Sequence, residues 1–327
     1  MVAAAGETIA VSVVVPVYRS APILPKLVEA IERAMSVTSL AGHYEIILVN
    51  DASPDDSWLV IQSLARTTAS IRGICLRKNA GQHNATMAGI RHATGRSVVI
   101  MDDDLQHPPE AIPRLVAELD RGYDVCYTRY VGRKHPLWKR LGSRFNDWIA
   151  TLLLNKPKGL YLSSFKAMRG DVAREVVKYD GPYAYVDGLI LDVTRTLTTI
   201  DIEHGERYAG EGNYDLRRSI SLWLKMATSF SVLPLRLVTF AGFLLATVSG
   251  VAIVAVVITK LLNPQTAAGW TSLLATTLFV GGAQLMGMGI IGEYLGRAYL
   301  RLNRKPQYVI RETTAPGDSG PKEFAGA

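Results

Sequence analysis

The chain has 327 residues, of which 48% are hydrophobic and 20% charged, with a net charge of +7 and a pI near 9.3. That is more than the roughly 100–200 residues of one domain, and the apolar content excludes a disordered or fibrous chain. The positive balance does not point to nucleic acid, because the basic residues gather beside apolar stretches, where anionic lipid is the expected partner.

From the N-terminus, β-branched apolar runs alternate with segments of helical periodicity. The pattern predicts strands near 11–17, 44–50, 71–76, 97–101 and 123–128, and helices near 22–36, 54–66, 82–93 and 108–120. The run from Ile9 to Val17 is short, follows no basic stretch and is closed by Pro16 and Tyr18, so it reads as a strand and not a signal peptide. Cys75 and Cys126 fall in strand-like runs without metal-binding spacing and are expected to be reduced, unpaired and buried. Alternating strands and helices predict an α/β domain on a mainly parallel, Rossmann-like sheet.

Such sheets bind ligands at the carboxyl ends of their strands. Polar residues collect there: Tyr18 and Arg19 after the first strand, Asn50 and Asp51 after the second, Asn79, Gly81 and Gln82 after the third, and Asp102, Asp103 and Asp104 after the fourth. No Gly-x-Gly-x-x-Gly follows the first strand and no Gly-x-x-x-x-Gly-Lys-Ser/Thr loop occurs, which excludes dinucleotide and P-loop sites. Residues 98–110 run an apolar strand into three carboxylates and a proline-started helix. Hard oxygen ligands on a rigid strand end suit Mg2+ or Mn2+ with positions left open for substrate phosphates.

Further on, Leu137, Leu141, Phe145, Trp148 and Leu152 recur at helical spacing with Lys139, Arg140 and Arg144 opposite, predicting a helix over 137–154 that lies on an anionic membrane surface. Asp215–Ser231 repeats the pattern, with Arg217, Arg218 and Lys225 beside Ile220, Leu222 and Trp223. Leu237–Thr259 and Trp270–Gly292 are uncharged over 23 residues each, which predicts two transmembrane helices. Arg236 before the first, and Arg297, Arg301, Arg304 and Lys305 after the second, place both termini in the cytoplasm; the loop between offers only Lys260. The polar stretch after Thr313 is expected to be disordered.

Four segments, Val14–Tyr18, Leu48–Asp55, Lys78–Ala85 and Met101–Glu110, together resemble the GT-A glycosyltransferases of family 2. Gly282–Arg297 resembles the second membrane span of the bacterial polyprenyl-phosphate glycosyltransferases in that family. These include the undecaprenyl-phosphate 4-deoxy-4-formamido-L-arabinose and bactoprenol glucosyl transferases, with dolichyl-phosphate mannose synthase more distant. The resemblance covers residues 10–311. It implies a GT-A nucleotide-sugar core over 1–130, an acceptor-side part over 131–214, a juxtamembrane helix over 215–232, a two-helix transmembrane region over 233–296 and a basic cytoplasmic tail over 297–327.

The resemblance also implies roles. Pro16 and Tyr18 line a uridine pocket, Asp51 accepts the uracil imide N–H, and Gly81, Asp102 and Asp103 belong to the nucleotide-sugar site. Asp104 and Gln106 hold the metal, and Arg207 faces the leaving diphosphate. Separately, the basic stretch of Arg129, Arg133 and Lys134 is expected either to handle the acceptor phosphate or to attach to anionic headgroups, with Ser164 and Arg169 near the same pocket. The implied reaction is inverting transfer from a UDP-sugar to undecaprenyl phosphate in the bacterial inner membrane, and the implied assembly is a homo-oligomer, a tetramer in relatives. Three departures stand out: Arg19 and Ser20 where many relatives have Asn-Glu, no Asp near Ser163 and Ser164, and Gly212-Asn213 where relatives carry Ser-Lys. A processive polysaccharide synthase lacks support without a Gln-x-x-Arg-Trp element, and intact Asp51, Asp104 and Gln106 argue against a non-catalytic scaffold. His83, His107 and His204 read as hydrogen-bonded structural residues.

Overall fold

The computed structural model describes residues 9–131, 151, 156–157, 159–203, 233–262, 269–303 and 305–314. The expected surface helix over 137–154 (apart from residue 151), the juxtamembrane helix over 215–232, and Arg133, Lys134, His204 and Arg207 lie outside the described residues. The chain divides into two units, 1–214 with 304–327, and 215–303.

The first unit is an α/β sheet domain. Strands β1 (Val11–Val17), β2 (Tyr44–Asn50), β3 (Ile71–Leu76), β4 (Ser97–Ile100) and β5 (Val125–Val131) alternate with helices α1 (Leu24–Ser36), α2 (Ser57–Thr67), α3 (Gln82–His92) and α4 (Ile112–Asp120). Then come β6 (Lys166–Arg169), α5 (Gly170–Val176), α6 (Val186–Val193), β7 (Leu197–Glu203) and, after the second unit, β8 (Ile310–Thr313). The sheet order is β7-β5-β6-β4-β1-β2-β3-β8. Pairs β1–β2, β1–β4, β2–β3 and β5–β7 are parallel, whereas β6 is antiparallel to both neighbours and β8 runs antiparallel to β3. The mainly parallel α/β sheet is therefore present. The antiparallel β6 wedged between β4 and β5, and the returning β8, are additions.

β1 is buried at every position, as a central strand covered on both faces should be. Its Val11, Val13, Val15 and Val17 pack with Leu27, Ile31, Ile112 and Leu115 from α1 and α4. On the other face, Gly89 lets α3 approach closely: a Cβ there would meet Val14 Cγ1 at 2.3 Å. A buried carboxylate pins the lower edge, where Glu45 accepts from Ser12 Oγ (2.6 Å), the Thr94 amide (2.7 Å) and Thr94 Oγ1 (2.8 Å). Both cysteines are buried and unpaired, and burial raises the Cys126 thiol to about 12.

Residues 305–314 return from the second unit to cover the open edge of β3. Arg77 N–H donates to Val309 O (2.7 Å), Gly73 N–H to Thr314 Oγ1 (2.8 Å), and Gln307 Nε2 to Tyr179 O (2.9 Å). This part of the expected basic tail is thus an ordered edge strand, and pairing leaves no bare β3 edge to template association.

The second unit holds two long helices, α7 (Leu233–Leu262) and α8 (Trp270–Leu302). They approach where Gly287 is buried against Val238; a Cβ on Gly287 would lie 3.3 Å from Val238 Cγ1. Large apolar side chains are exposed along both, among them Phe240, Phe243, Val251, Phe279, Leu285 and Leu295. The two expected transmembrane spans are not shown: among the described residues no helix is long and apolar enough to cross a membrane.

Candidate active site

The carboxyl ends of β1, β2 and β4 open into one cleft of about 380 Å³. Its walls are Pro16, Val17 and Tyr18 on one side, Asn79, Gly81 and Gln82 on another, and the carboxylates Asp51, Asp102, Asp103 and Asp104. Three non-glycine residues in the loops that leave these strands adopt left-handed backbone: Arg19 (φ 59°), Ala52 (φ 49°) and Leu105 (φ 60°). Such conformations cost energy and cluster where a chain is held for function.

Hydrogen bonds fix each carboxylate. Asp51, nearly buried, accepts the Ala80 amide on Oδ1 (2.7 Å) and the Gly81 amide on Oδ2 (2.9 Å), and burial raises its pKa against the pull of those donors. Each oxygen retains a lone pair for a further donor. Asp103 Oδ2 accepts from Ser20 Oγ (2.5 Å) and the Tyr18 amide (3.0 Å), tying the β4 end to the β1 loop; burial raises its pKa too. Asp55 organises the neighbouring turn by accepting from Ser53, Ser57 and the Ala21 amide. Desolvation would raise its pKa, but these bonds outweigh it and lower it to about 2.

Asp102 is more fully engaged. Gln82 Nε2 donates to Oδ1 (2.7 Å) and Ser164 Oγ to Oδ2 (2.7 Å). The Asp102 amide donates to His107 Nδ1 (3.0 Å), so the neutral imidazole carries its proton on Nε2, facing Ser164 Oγ at 3.4 Å and Asp102 Oδ2 at 3.6 Å. His107 is buried between Phe165 and Tyr130, and that burial lowers its pKa. The structural reading of His107 fits this geometry.

Asp104 accepts the fewest hydrogen bonds of the three aspartates. Its Oδ1 accepts the Gln106 amide (3.1 Å), and among the described residues Oδ2 accepts no hydrogen bond. Gln106 touches Asp104 through its backbone amide. Among the described residues no three His, Cys, Asp or Glu side chains form a ready-made cage. A hard cation that keeps its remaining positions for water and phosphate needs only one or two carboxylates, and the open oxygen of Asp104 beside Asp102 and Asp103 fits that demand.

The acceptor-side residues are only partly gathered. Ser164 reaches the site through Asp102, and Lys166 lies buried behind it, ion-paired with Asp187 of α6, which also accepts from Tyr127 Oη (3.1 Å). Asp187 was not singled out from the sequence, because 21 residues separate it from Lys166 and no motif joins them. Arg129 stands at the cleft end of β5, but its guanidinium forms a bidentate pair with Asp201 of β7 (2.7 and 3.0 Å). Arg169 is not brought to the cleft. The antiparallel register pairs it with Ser97 at the start of β4, whereas Lys166 pairs with Ile100 at the cleft end, and Arg169 bonds Asp171 instead (3.2 and 3.3 Å).

The sheet carries an acidic, aromatic-rimmed cleft at the carboxyl ends of its strands, where open α/β sheets bind their ligands. The family model for glycosyl transferase family 2 matches residues 12–176, which is 165 of the 327 residues, and the chain belongs to that family. Among solved structures it is similar to S. aureus TarS 1–349, with 18% identity, 60% of this chain and 59% of that chain covered, and a TM-score of 0.44. It is also similar to glucosyl-3-phosphoglycerate synthase from Mycobacterium tuberculosis in complex with Mn2+, UDP and phosphoglyceric acid, with 18% identity, 66% and 77% covered, and a TM-score of 0.49.

Proposed function

We propose that this family 2 glycosyltransferase moves a sugar from a UDP-sugar to a membrane-borne polyprenyl phosphate, with inversion at the sugar C1. The observation that carries the donor side is the cleft itself: an aromatic and apolar wall with a hydrogen-bond acceptor at one end, and three aspartates at the other. In this reading the base rests against Pro16 and Tyr18 with its imide N–H on Asp51, and the diphosphate extends toward Asp104. Asp104 would hold Mg2+ or Mn2+, supported by Asp102 and Asp103, and the bound ion would supply stabilisation of the charge that develops on the leaving β-phosphate. Asp102, which accepts from Gln82 and Ser164, positions those side chains and keeps the strand end rigid. A phosphate monoester with a second pKa of about 6 arrives ionised, so the nucleophile needs no strong base; this accords with Asp187 being locked to Lys166 and Tyr127.

The acceptor assignment rests on α7 and α8, with their exposed Phe240, Phe243, Val251 and Phe279, and on the uncharged sequence from Leu237 to Thr259. These helices would cross the bacterial inner membrane with the catalytic unit on the cytoplasmic side, close to a lipid phosphate. Arg207, Arg133 and Lys134 remain the proposed phosphate contacts, and self-association through α8, whose exposed glycines permit close helix approach, is the proposed assembly. UDP-dependent thermal stabilisation, measured with and without Mn2+ or Mg2+, tests the donor half: a rise in midpoint that needs the metal is expected, and no rise with either ion would remove the reading.

A further inference from the structure

The proposed reaction gives no task to the buried ion pair of Lys166 and Asp187. Lys166 opens β6 at its cleft end, where the register sets it beside Tyr127 of β5 and Ile100 of β4. Asp187 stands in the first turn of α6. Tyr127 Oη donates to the same carboxylate oxygen that pairs with Lys166 (3.1 Å), and the ammonium lies 5.2 Å from the centre of the Tyr127 ring. All three side chains are buried. Two charges taken out of water return little net stability, and apolar side chains of similar size often fill such a place as well or better. Fold stability therefore does not account for the pair.

Asp187 is the inner end of a short segment whose outer end grips α3. Tyr185 meets the His83 ring edge to face, with centroids 5.1 Å apart, and Pro182 O accepts from Asn84 Nδ2 (3.3 Å). The same Nδ2 donates to Ala80 O (3.0 Å), and the Ala80 amide donates in turn to Asp51 Oδ1 (2.7 Å). Beside Ala80 are two residues of the cleft wall: Gly81, whose amide holds the other Asp51 oxygen, and Gln82, which donates to Asp102. The rest of α3 is fixed elsewhere, by the close approach of Gly89 to Val14 and by Arg72 Nη1 on the His92 carbonyl (3.1 Å). Its first turn faces the open cleft on one side, and residues 182–187 back it from the other.

We propose that Lys166 and Asp187 are positioning residues whose buried pair anchors residues 182–187 as a brace for the first turn of α3, and so sets the cleft wall of Ala80, Gly81 and Gln82. The nucleotide-donor reading of the cleft enters only through one of the two readouts below.

The test uses the detergent-purified full chain and two double variants. Lys166→Met with Asp187→Leu replaces the pair by apolar side chains, whereas Lys166→Gln with Asp187→Asn keeps a neutral hydrogen bond between the same positions. Hydrogen exchange across residues 79–86 is followed without nucleotide, and UDP binding with Mn2+ is followed by calorimetry, beside thermal melts. The apolar variant should keep a thermal midpoint close to wild type, exchange the Ala80 and Gly81 amides about tenfold faster, and bind UDP about tenfold more weakly, the scale of one hydrogen bond to a charged group. The hydrogen-bonded neutral variant should stay close to wild type in both. Wild-type exchange and affinity in the apolar variant would make the pair a core contact alone and overturn the proposal, as would equal losses in both variants, since one of them keeps the tether. If the apolar variant does not fold, Tyr185→Leu decides: it breaks the brace at His83 without burying a lone charge, and wild-type exchange there would overturn the proposal. If wild type binds no UDP, the donor reading falls, and the brace stands or falls on exchange.

Discussion

Asp51→Asn separates the roles of the base-end carboxylate most cleanly. The wild-type side chain accepts two backbone amides, Ala80 on one oxygen and Gly81 on the other. Asparagine has the same shape but one acceptor atom, so one amide faces an NH2 group. A hydrogen bond to a charged group is worth about 1.5–3 kcal/mol. Part of that loss is returned, because burial already disfavours the ionised carboxylate, as its raised pKa shows. The net destabilisation should therefore be about 1–2 kcal/mol, visible as a modest fall in thermal midpoint. For ligand binding no such return exists: in the proposed pocket the acceptor for the uracil imide would be lost or weakened, so the UDP dissociation constant should rise about 10- to 100-fold. Calorimetric titration with UDP and Mn2+, beside thermal melts of the apo protein, gives both numbers. A fall in midpoint with unchanged UDP affinity would show that Asp51 only braces the β3–α3 loop, and would refute its place in the base pocket.

Other outcomes follow from the same geometry. Gly95→Ala would put a Cβ 2.6 Å from the Ser12 backbone nitrogen, where no side chain can yield, so a loss of roughly 2–3 kcal/mol in denaturant unfolding is expected. Asp55 has a folded pKa of about 2 against an ordinary 3.8, so its stabilising contribution is complete above pH 3.8 and disappears as pH falls toward 2. Asp55→Asn should accordingly flatten the stability profile in that window, and an unaltered profile would show that the carboxylate does not hold the turn. Ending the chain at Asn303 would strip β8 from β3 and expose its edge; increased self-association by light scattering is expected, and a monodisperse product of wild-type stability would count against the strap's role.

Much of the catalytic unit was legible in the sequence. β1, β2 and β3 fall where apolar, β-branched runs predict them, because a strand buried on both faces is mostly apolar and is closed by turn residues. The convergence of Tyr18, Asp51, Gly81 and Asp102–Asp104 followed from one rule about strand carboxyl ends. β6 escaped because Lys-Ala-Met-Arg is four residues long, charged at both ends and without period, and its antiparallel direction has no local signature. The antiparallel run of β6 carries Arg169 to the end of the sheet away from the cleft. Asp187 escaped for a related reason: its partners Lys166 and Tyr127 come from adjacent strands whose order only the folded sheet reveals. β8 was hidden because an Ile-Arg-Glu-Thr strand on an edge can be polar.

In the proposed reaction a sugar passes onto a polyprenyl phosphate through a cleft in which Asp104 would hold the metal. The direct measurement incubates detergent-purified wild type and Asp104→Ala with undecaprenyl phosphate, Mg2+ and a panel of UDP-sugars, following UDP release and the lipid-linked sugar by mass spectrometry. Lipid-linked product from wild type, and its loss in Asp104→Ala with the fold intact, is the predicted result. UDP release that proceeds equally in both proteins, or sugar transfer that does not require the lipid phosphate, would contradict the account.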